Sequence, residues 1–204
     1  MNWRTDLAFF DVDSLECGEG CAFAYRPRME PLRAQLDELH ELAGRENIRT
    51  LYCTCCSGRM LAPGENPDVL FVPLDETQTA WRDELDAHRM IYLAKAAFGS
   101  PERNAEHQAW DMFAFNKNAA PLLRALDIPH WIVFGNALEL CVDSAVQGLL
   151  AAGMRVTVVA DVLASSAIGD EHSRREKLRA WREQGVETIS LAQCRERLRP
   201  SSIR

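Results

Sequence analysis

No apolar run in this 204-residue chain is longer than a strand requires, which excludes a membrane-spanning helix. The polar N-terminus leads straight into a strand, so no export signal is expected. Positive charge is not in excess. Lys and Arg number 23 against 30 Asp and Glu, a net charge of −7. That balance argues against a general binder of nucleic acid or of anionic membranes. The basic run from Arg195 to Arg204 reads as a solvated tail. Internal repeats, low-complexity segments and linkers are also missing, so residues 1–204 read as a single domain. What is present is apolar material: hydrophobic residues make up 47% of the chain, enough for a sizeable core.

Seven cysteines cannot all pair, and with no export signal they point to reduced thiols in the cytoplasm. Five of them cluster: Cys17 and Cys21, then Cys53, Cys55 and Cys56. Cys194 reads as a half-buried helix residue. Cys141 has a different setting, between a strand and a helix.

Six short apolar runs read as strands: Leu7–Phe10, Ile48–Thr54, Met90–Leu93, Trp131–Phe134, Arg155–Ala160 and Val186–Ile189. Between them lie helical patterns. Leu32, Leu36, Leu39 and Leu42 have helical spacing within Pro31–Arg45, and Gly44 ends that helix. Trp81–His88, Asn118–Leu126 and Asp170–Gln184 read as further helices. Leu61–Asp75 is irregular or an edge strand, and Phe98–Trp110 a loop or insertion. His40 and His88 fall in helical stretches and read as surface residues. Nearly all-apolar strands alternating with helices predict a mostly parallel sheet covered on both faces. The expected architecture is a three-layer α/β/α sandwich of Rossmann-like type. In the order 3-2-1-4-5-6, strands one and four flank the switch point, where ligands bind beyond the carboxyl ends. Asp11, Asp13 and Ser14 follow the first run, and Cys141 follows the fourth.

A thiol with an ordinary pKa near 8.5 is mostly protonated at neutral pH. A helix N-terminus and a nearby cation favour the thiolate. Cys141 has the first feature if a helix starts near Leu138 or Glu139. The plainer alternative is one more buried cysteine acting as a small hydrophobe.

The motifs around Cys141 carry more information. Gly135, Cys141-Val142, Gly153, the strand Val156–Val159 and the Asp161–Ser165 turn follow one another at spacings that resemble the isochorismatase-like cysteine hydrolase superfamily. Phe9-Phe10-Asp11-Val12-Asp13 is similar to the family's first strand, and Glu171-His172 with Gly185 to its C-terminal unit. The resemblance implies a Cys–Asp–Lys triad that hydrolyses C–N bonds of small amides. Carried over, Cys141 is the nucleophile, Asp11 the base and Lys95 the cation. The stretch Trp110–Phe115 resembles one that follows the family's lysine closely, so an insertion follows Lys95, or Lys117 fills the role. Backbone N–H groups of Leu138 and Cys141 would hold the oxyanion, with a cis peptide at Ala137–Leu138. Asp13, Phe23, Trp110 and Asn136 are candidates for the substrate pocket.

Nicotinamidase-type relatives hold a metal with Asp and His ligands, and the matching positions here, Cys55 to Gly58, do not supply them. Members related to N-carbamoylsarcosine amidase lack that metal and fit better, so no cofactor is expected at the triad. The loops after strands one and two would bring Cys17, Cys21, Cys53, Cys55 and Cys56 together, a set with the chemistry to bind Zn²⁺. The leading expectation is therefore a cytoplasmic, homo-oligomeric hydrolase of a small amide, ureido or carbamoyl compound. The alternative is a non-catalytic, redox- or zinc-responsive member that uses the five thiols.

Overall fold

The computed structural model of the chain describes residues 3–13, 30–54, 67–74, 82–95, 103, 106–108, 111–165 and 171–199. Its strands are β1 (Ala8–Val12), β2 (Arg49–Thr54), β3 (Val69–Val72), β4 (Met90–Ala94), β5 (His130–Asn136), β6 (Arg155–Ala164) and β7 (Glu187–Ile189). Its α-helices are α1 (Arg33–Arg45), α2 (Arg82–Ala87), α3 (Met112–Phe115), α4 (Ala119–Leu126), α5 (Asp143–Ala151), α6 (Glu171–Glu183) and α7 (Leu191–Leu198). A π-helical turn, Leu138–Val142, joins β5 to α5.

All six strand pairs are parallel, in the order β3-β4-β2-β1-β5-β6-β7. The six expected strands stand in the expected order. The seventh, β3, adds to the edge beside β4, in the segment read as irregular or edge strand. It is legible only weakly because prolines flank it and one side of its ladder is open.

The sheet separates two cores, as strand alternation requires. On one face, Phe9, Ile132, Phe134 and Val159 pack with Leu36, Leu39 and Leu42 of α1 and with Leu191, Cys194 and Leu198 of α7. On the other, Phe10, Val12, Trp131, Val133 and Val158 pack with α4, α5 and Trp181 of α6. The C-terminal run is thus helical as far as Leu198 and buried at Leu198. Cys194 is fully buried rather than half-buried. Its apolar setting pushes its thiol up to about 12, which makes it unreactive.

At the N-terminal ends of the strands a polar chain fixes one tautomer of His130. Arg155 Nη2 donates to His130 Nδ1 at 2.9 Å, so Nε2 carries the proton and donates to Thr157 Oγ1 at 2.8 Å. Thr157 donates to Glu187 Oε2 at 3.1 Å, and Arg197 pairs with the same oxygen at 2.6 Å. Burial, then the charge of Arg155, lowers His130 from 6.5 to about 4. Between these values the unfolded chain holds a proton that the folded chain does not. Stability therefore falls as pH drops through that window. The ring is half-buried, so screening leaves about 1–2 kcal/mol. Urea unfolding at pH 7 and pH 4.5 should show His130→Gln losing that much less stability than the unsubstituted protein.

Candidate active site

The strand periodicity decides which acidic group does what. β1 runs through Asp11 and ends at Val12, one turn of the pleat beyond the expected stop at Phe10. Phe9 lies on the α1 face and Phe10 and Val12 on the other, so Asp11 points toward α1. There its Oδ2 meets His40 Nε2 at 2.7 Å. The His40 ring sits 5.7 Å from Tyr52 and 6.2 Å from Phe134, the two residues in register with Asp11. Burial, reinforced by the Asp11 charge, pushes the Tyr52 hydroxyl well above its ordinary range, so it stays neutral. His40 is consequently a half-buried partner of a strand carboxylate and not a surface residue.

Asp13 lies just past the strand. Its N–H continues the pairing with β2 by donating to Cys53 O at 2.8 Å. Its φ of 51° is a left-handed conformation that Asp tolerates better than most residues. That turn carries the side chain to the C-terminal rim, where Lys95 Nζ donates to Asp13 Oδ2 at 2.8 Å. Both side chains are essentially inaccessible, at 0% and 1%. Lys95 is therefore paired with Asp13, not with the expected Asp11. β2 lies between β1 and β4, so the ion pair crosses two strand spacings, roughly 10 Å. The four-carbon stem of lysine reaches across that span. The end of β4 is held by Asn116, whose Nδ2 donates to Ala94 O at 2.7 Å. Asn118 Nδ2 donates to Pro73 O at 2.8 Å, tying α4 to the chain beyond β3. Neither asparagine had a sequence signal, because both act on backbone carbonyls of distant strands.

A buried pair of this kind is costly to break on one side only. Lys95→Met should cost about 3 kcal/mol, because it strands the Asp13 carboxylate without its cation. Adding Asp13→Asn should recover part of that loss, and chemical denaturation of the two variants measures both effects.

Cys141 is 2% exposed and occupies the π turn after β5, ahead of α5. Three contacts anchor that segment. Trp181 Nε1 donates to Asp143 Oδ1 at 2.7 Å, Lys177 Nζ donates to Asp143 Oδ2 at 2.8 Å, and Ser144 Oγ donates to Asp111 Oδ1 at 3.2 Å. Asp111 also caps α3 by accepting from Phe113 N and Ala114 N, both at 3.1 Å. The N-terminus of α5 directs positive potential toward the turn, which favours a thiolate. Val12 and Gly135 are in register, so the chain beyond β1 and the chain beyond β5 emerge side by side. Asp13 and the Cys141 turn therefore share one rim of the sheet, the switch point expected from strand order.

Other expectations shift. The cis peptide is Asn136–Ala137, one residue before the expected Ala137–Leu138. Ala137 O accepts from Leu140 N and Val142 N, both at 3.0 Å, which orients the turn. Asn136 is fully buried. Cys53 lies inside β2, in the same buried cluster as Val12 and Leu93, and not in the loop after the strand. Cys17, Cys21, Cys55 and Cys56 lie outside the described residues, as do Phe23 and Trp110. Among the described residues no group of three or more His, Cys, Asp or Glu is placed to hold a metal ion. Nor, among them, is any helix long and apolar enough to cross a membrane. Lys117 is in the described residues, and the pairing with Asp13 belongs to Lys95.

Comparison with known proteins bears on the fold and the family. No curated protein sequence matches significantly. Among solved structures, an isochorismatase-like hydrolase from Alkaliphilus metalliredigens superposes with a TM-score of 0.62 at 17% identity, covering 94% of this chain and 98% of its own. A cysteine hydrolase from Pseudomonas syringae gives 0.61 at 15% identity, covering 95% and 92%. A pyrazinamidase of Pyrococcus horikoshii, solved in complex with zinc, gives 0.58 at 11% identity, covering 91% and 99%. These likenesses establish the fold. The family model of the isochorismatase domain matches residues 17–193, and on that match the chain belongs to the isochorismatase family.

Proposed function

We propose that the protein is a cysteine hydrolase that cleaves a C–N bond of a small amide, ureido or carbamoyl compound. The observation that carries this reading is the buried Lys95–Asp13 pair on the rim of the sheet that also bears Cys141. In the proposed cycle Asp13 accepts the proton of the Cys141 thiol, and Lys95 supplies the cation that favours the charged forms. The thiolate attacks the carbonyl carbon of R–CO–NH₂. Backbone N–H groups of Leu138 and Cys141, in the turn that follows Ala137, stabilise the oxyanion. The C–N bond breaks, Asp13 returns its proton to the nitrogen, and NH₃ departs. Water then attacks the thioester, Asp13 taking its proton. The products are R–COOH and the free thiol, so the sum is R–CO–NH₂ plus H₂O giving R–COOH plus NH₃.

The reading needs no metal at the triad, and it includes a reducing, cytoplasmic setting and a homo-oligomer. The thiol-responsive alternative rests on five cysteines of which only Cys53, buried inside β2, lies within the described residues. Ammonia release from a panel of primary amides and ureido compounds tests the proposal, with Cys141→Ser as the control. A folded protein that releases none from any of them counts against it.

A further inference from the structure

β6 does not run evenly beside β5. Between the paired positions Val133–Val158 and Gly135–Leu163, β5 advances two residues and β6 advances five. The surplus residues of β6 form an arch, and the ladder between the two strands is interrupted there. Val159 and Val162 pack into the core on the α1 side, while Asp161 between them is exposed. Carbonyls in such a break need donors from outside the ladder. Arg174, in the first turn of α6, supplies them. Its Nη1 donates to Leu163 O at 2.9 Å and its Nη2 to Ala160 O. One guanidinium thus spans the arch, since its N–H groups lie in a fixed planar fork and face two acceptors at once. Asp161 secures the outer side by accepting from Leu191 N, at the start of α7, at 2.7 Å.

Beyond the arch, Leu163 and Ala164 are in register with Gly135 and Asn136, the last two residues of β5 before the nucleophile turn. Leu163 also packs in one buried cluster with Leu138, Cys141 and Val142. The stretch of β6 that Arg174 fixes is therefore the one against which β5 ends and the turn begins. The same helix grips the other end of the turn, because Lys177 and Trp181 hold Asp143, the first residue of α5. Residues three and four apart are neighbours on a helix surface, so positions 174, 177 and 181 form one stripe. From that stripe α6 takes hold of both flanks of the Cys141 turn.

We propose that Arg174 is a positioning residue for the hydrolysis: through β6 it fixes the turn that carries Cys141 and the oxyanion donors. The inference rests on the hydrolase reading above and adds to it a group that acts through the backbone. Oxyanion donors act only when they meet the developing charge at hydrogen-bond distance, and a displacement of about 1 Å costs about 10²-fold in rate. The oxyanion exists only in the transition state, so the loss falls on kcat and not on substrate binding.

Arg174→Met keeps an unbranched stem and removes both donors. Its kcat for ammonia release should fall about 10²-fold with KM little changed, at a temperature where the melting curve shows the variant folded. Arg174→Lys should lose about tenfold, since an ammonium reaches one of the carbonyls but does not bridge the two. Arg175→Met removes the same charge from the next, exposed position and should match the unsubstituted protein. A merely structural role predicts a lower melting midpoint for Arg174→Met with full kcat in the folded protein. That result, or a raised KM at full kcat, overturns the inference and leaves the hydrolase reading standing. Should Arg174→Met not fold, Arg174→Lys decides alone, and a folded Arg174→Lys with unchanged kcat overturns the inference. Release of ammonia from no amide by the intact protein overturns both.

Discussion

Cys141→Ser should lower kcat for ammonia release by at least about 10⁴-fold while the protein stays folded. Serine is close in size and keeps a polar hydrogen, so the packing of the buried residue changes little. The chemistry changes much more. A serine hydroxyl is far less acidic than a thiol and a carboxylate is too weak a base to deprotonate it, whereas a thiol at a helix N-terminus gives up its proton readily. The substitution therefore separates a catalytic thiol from a packed one. A merely structural Cys141 would show altered stability with unchanged turnover. Single-turnover measurements on any amide the protein accepts, with the melting curve recorded alongside, decide between these outcomes. Turnover within about tenfold of the unsubstituted protein would remove Cys141 from the mechanism.

Gly135→Ala should prevent formation of the native fold, a loss larger than about 4 kcal/mol. A Cβ at Gly135 would lie 2.0 Å from Val12 O and 2.8 Å from Val12 C. The obstacle is backbone of a central strand, which has partners on both sides and cannot withdraw. The φ of +120° is itself open almost only to glycine. The register between β5 and β6 shifts between Val133 and Gly135, so this residue sits where the strand bends toward the nucleophile turn. The close approach of Gly135 to Val12 places the chain leading to Asp13 against the chain leading to Cys141. Expression followed by circular dichroism and urea titration should find the variant unfolded or insoluble. A cooperative unfolding transition near that of the unsubstituted protein would show that the strands can separate at this point.

The residues that carried the fold in the sequence were those whose signal is local. Each central strand is a self-contained apolar run, and α1 repeats leucine at helical spacing, so the strand order could be anticipated without any tertiary contact. Local signals also singled out Cys141, from its position between strand and helix, whereas Lys95 was named only through the family resemblance. They failed where partners are far apart in the chain. His40 and Asp11 are 29 positions apart, and nothing near His40 distinguishes it from a surface histidine. Asn116 and Asn118 act on the carbonyls of Ala94 and Pro73, which polarity alone does not reveal. The arginines of α7 made the run from Arg195 read as a solvated tail, although Leu191, Cys194 and Leu198 bury one side of that helix.

The choice between Asp11 and Asp13 shows where the boundary falls. The sequence by itself determined that a carboxylate follows the first apolar run, that a thiol follows the fourth, and that parallel crossovers bring the two ends together. It could not say where β1 stops, because that depends on hydrogen bonds to β2 and β5 and not on the polarity of the next residue. Pairing carries the strand on through Asp11 to Val12, and side-chain alternation then turns Asp11 toward His40. The left-handed turn at Asp13 carries the following carboxylate to the rim and to Lys95. Only the tertiary structure, through strand pairing two residues beyond the expected stop, assigned one aspartate to the far face and the other to the candidate site.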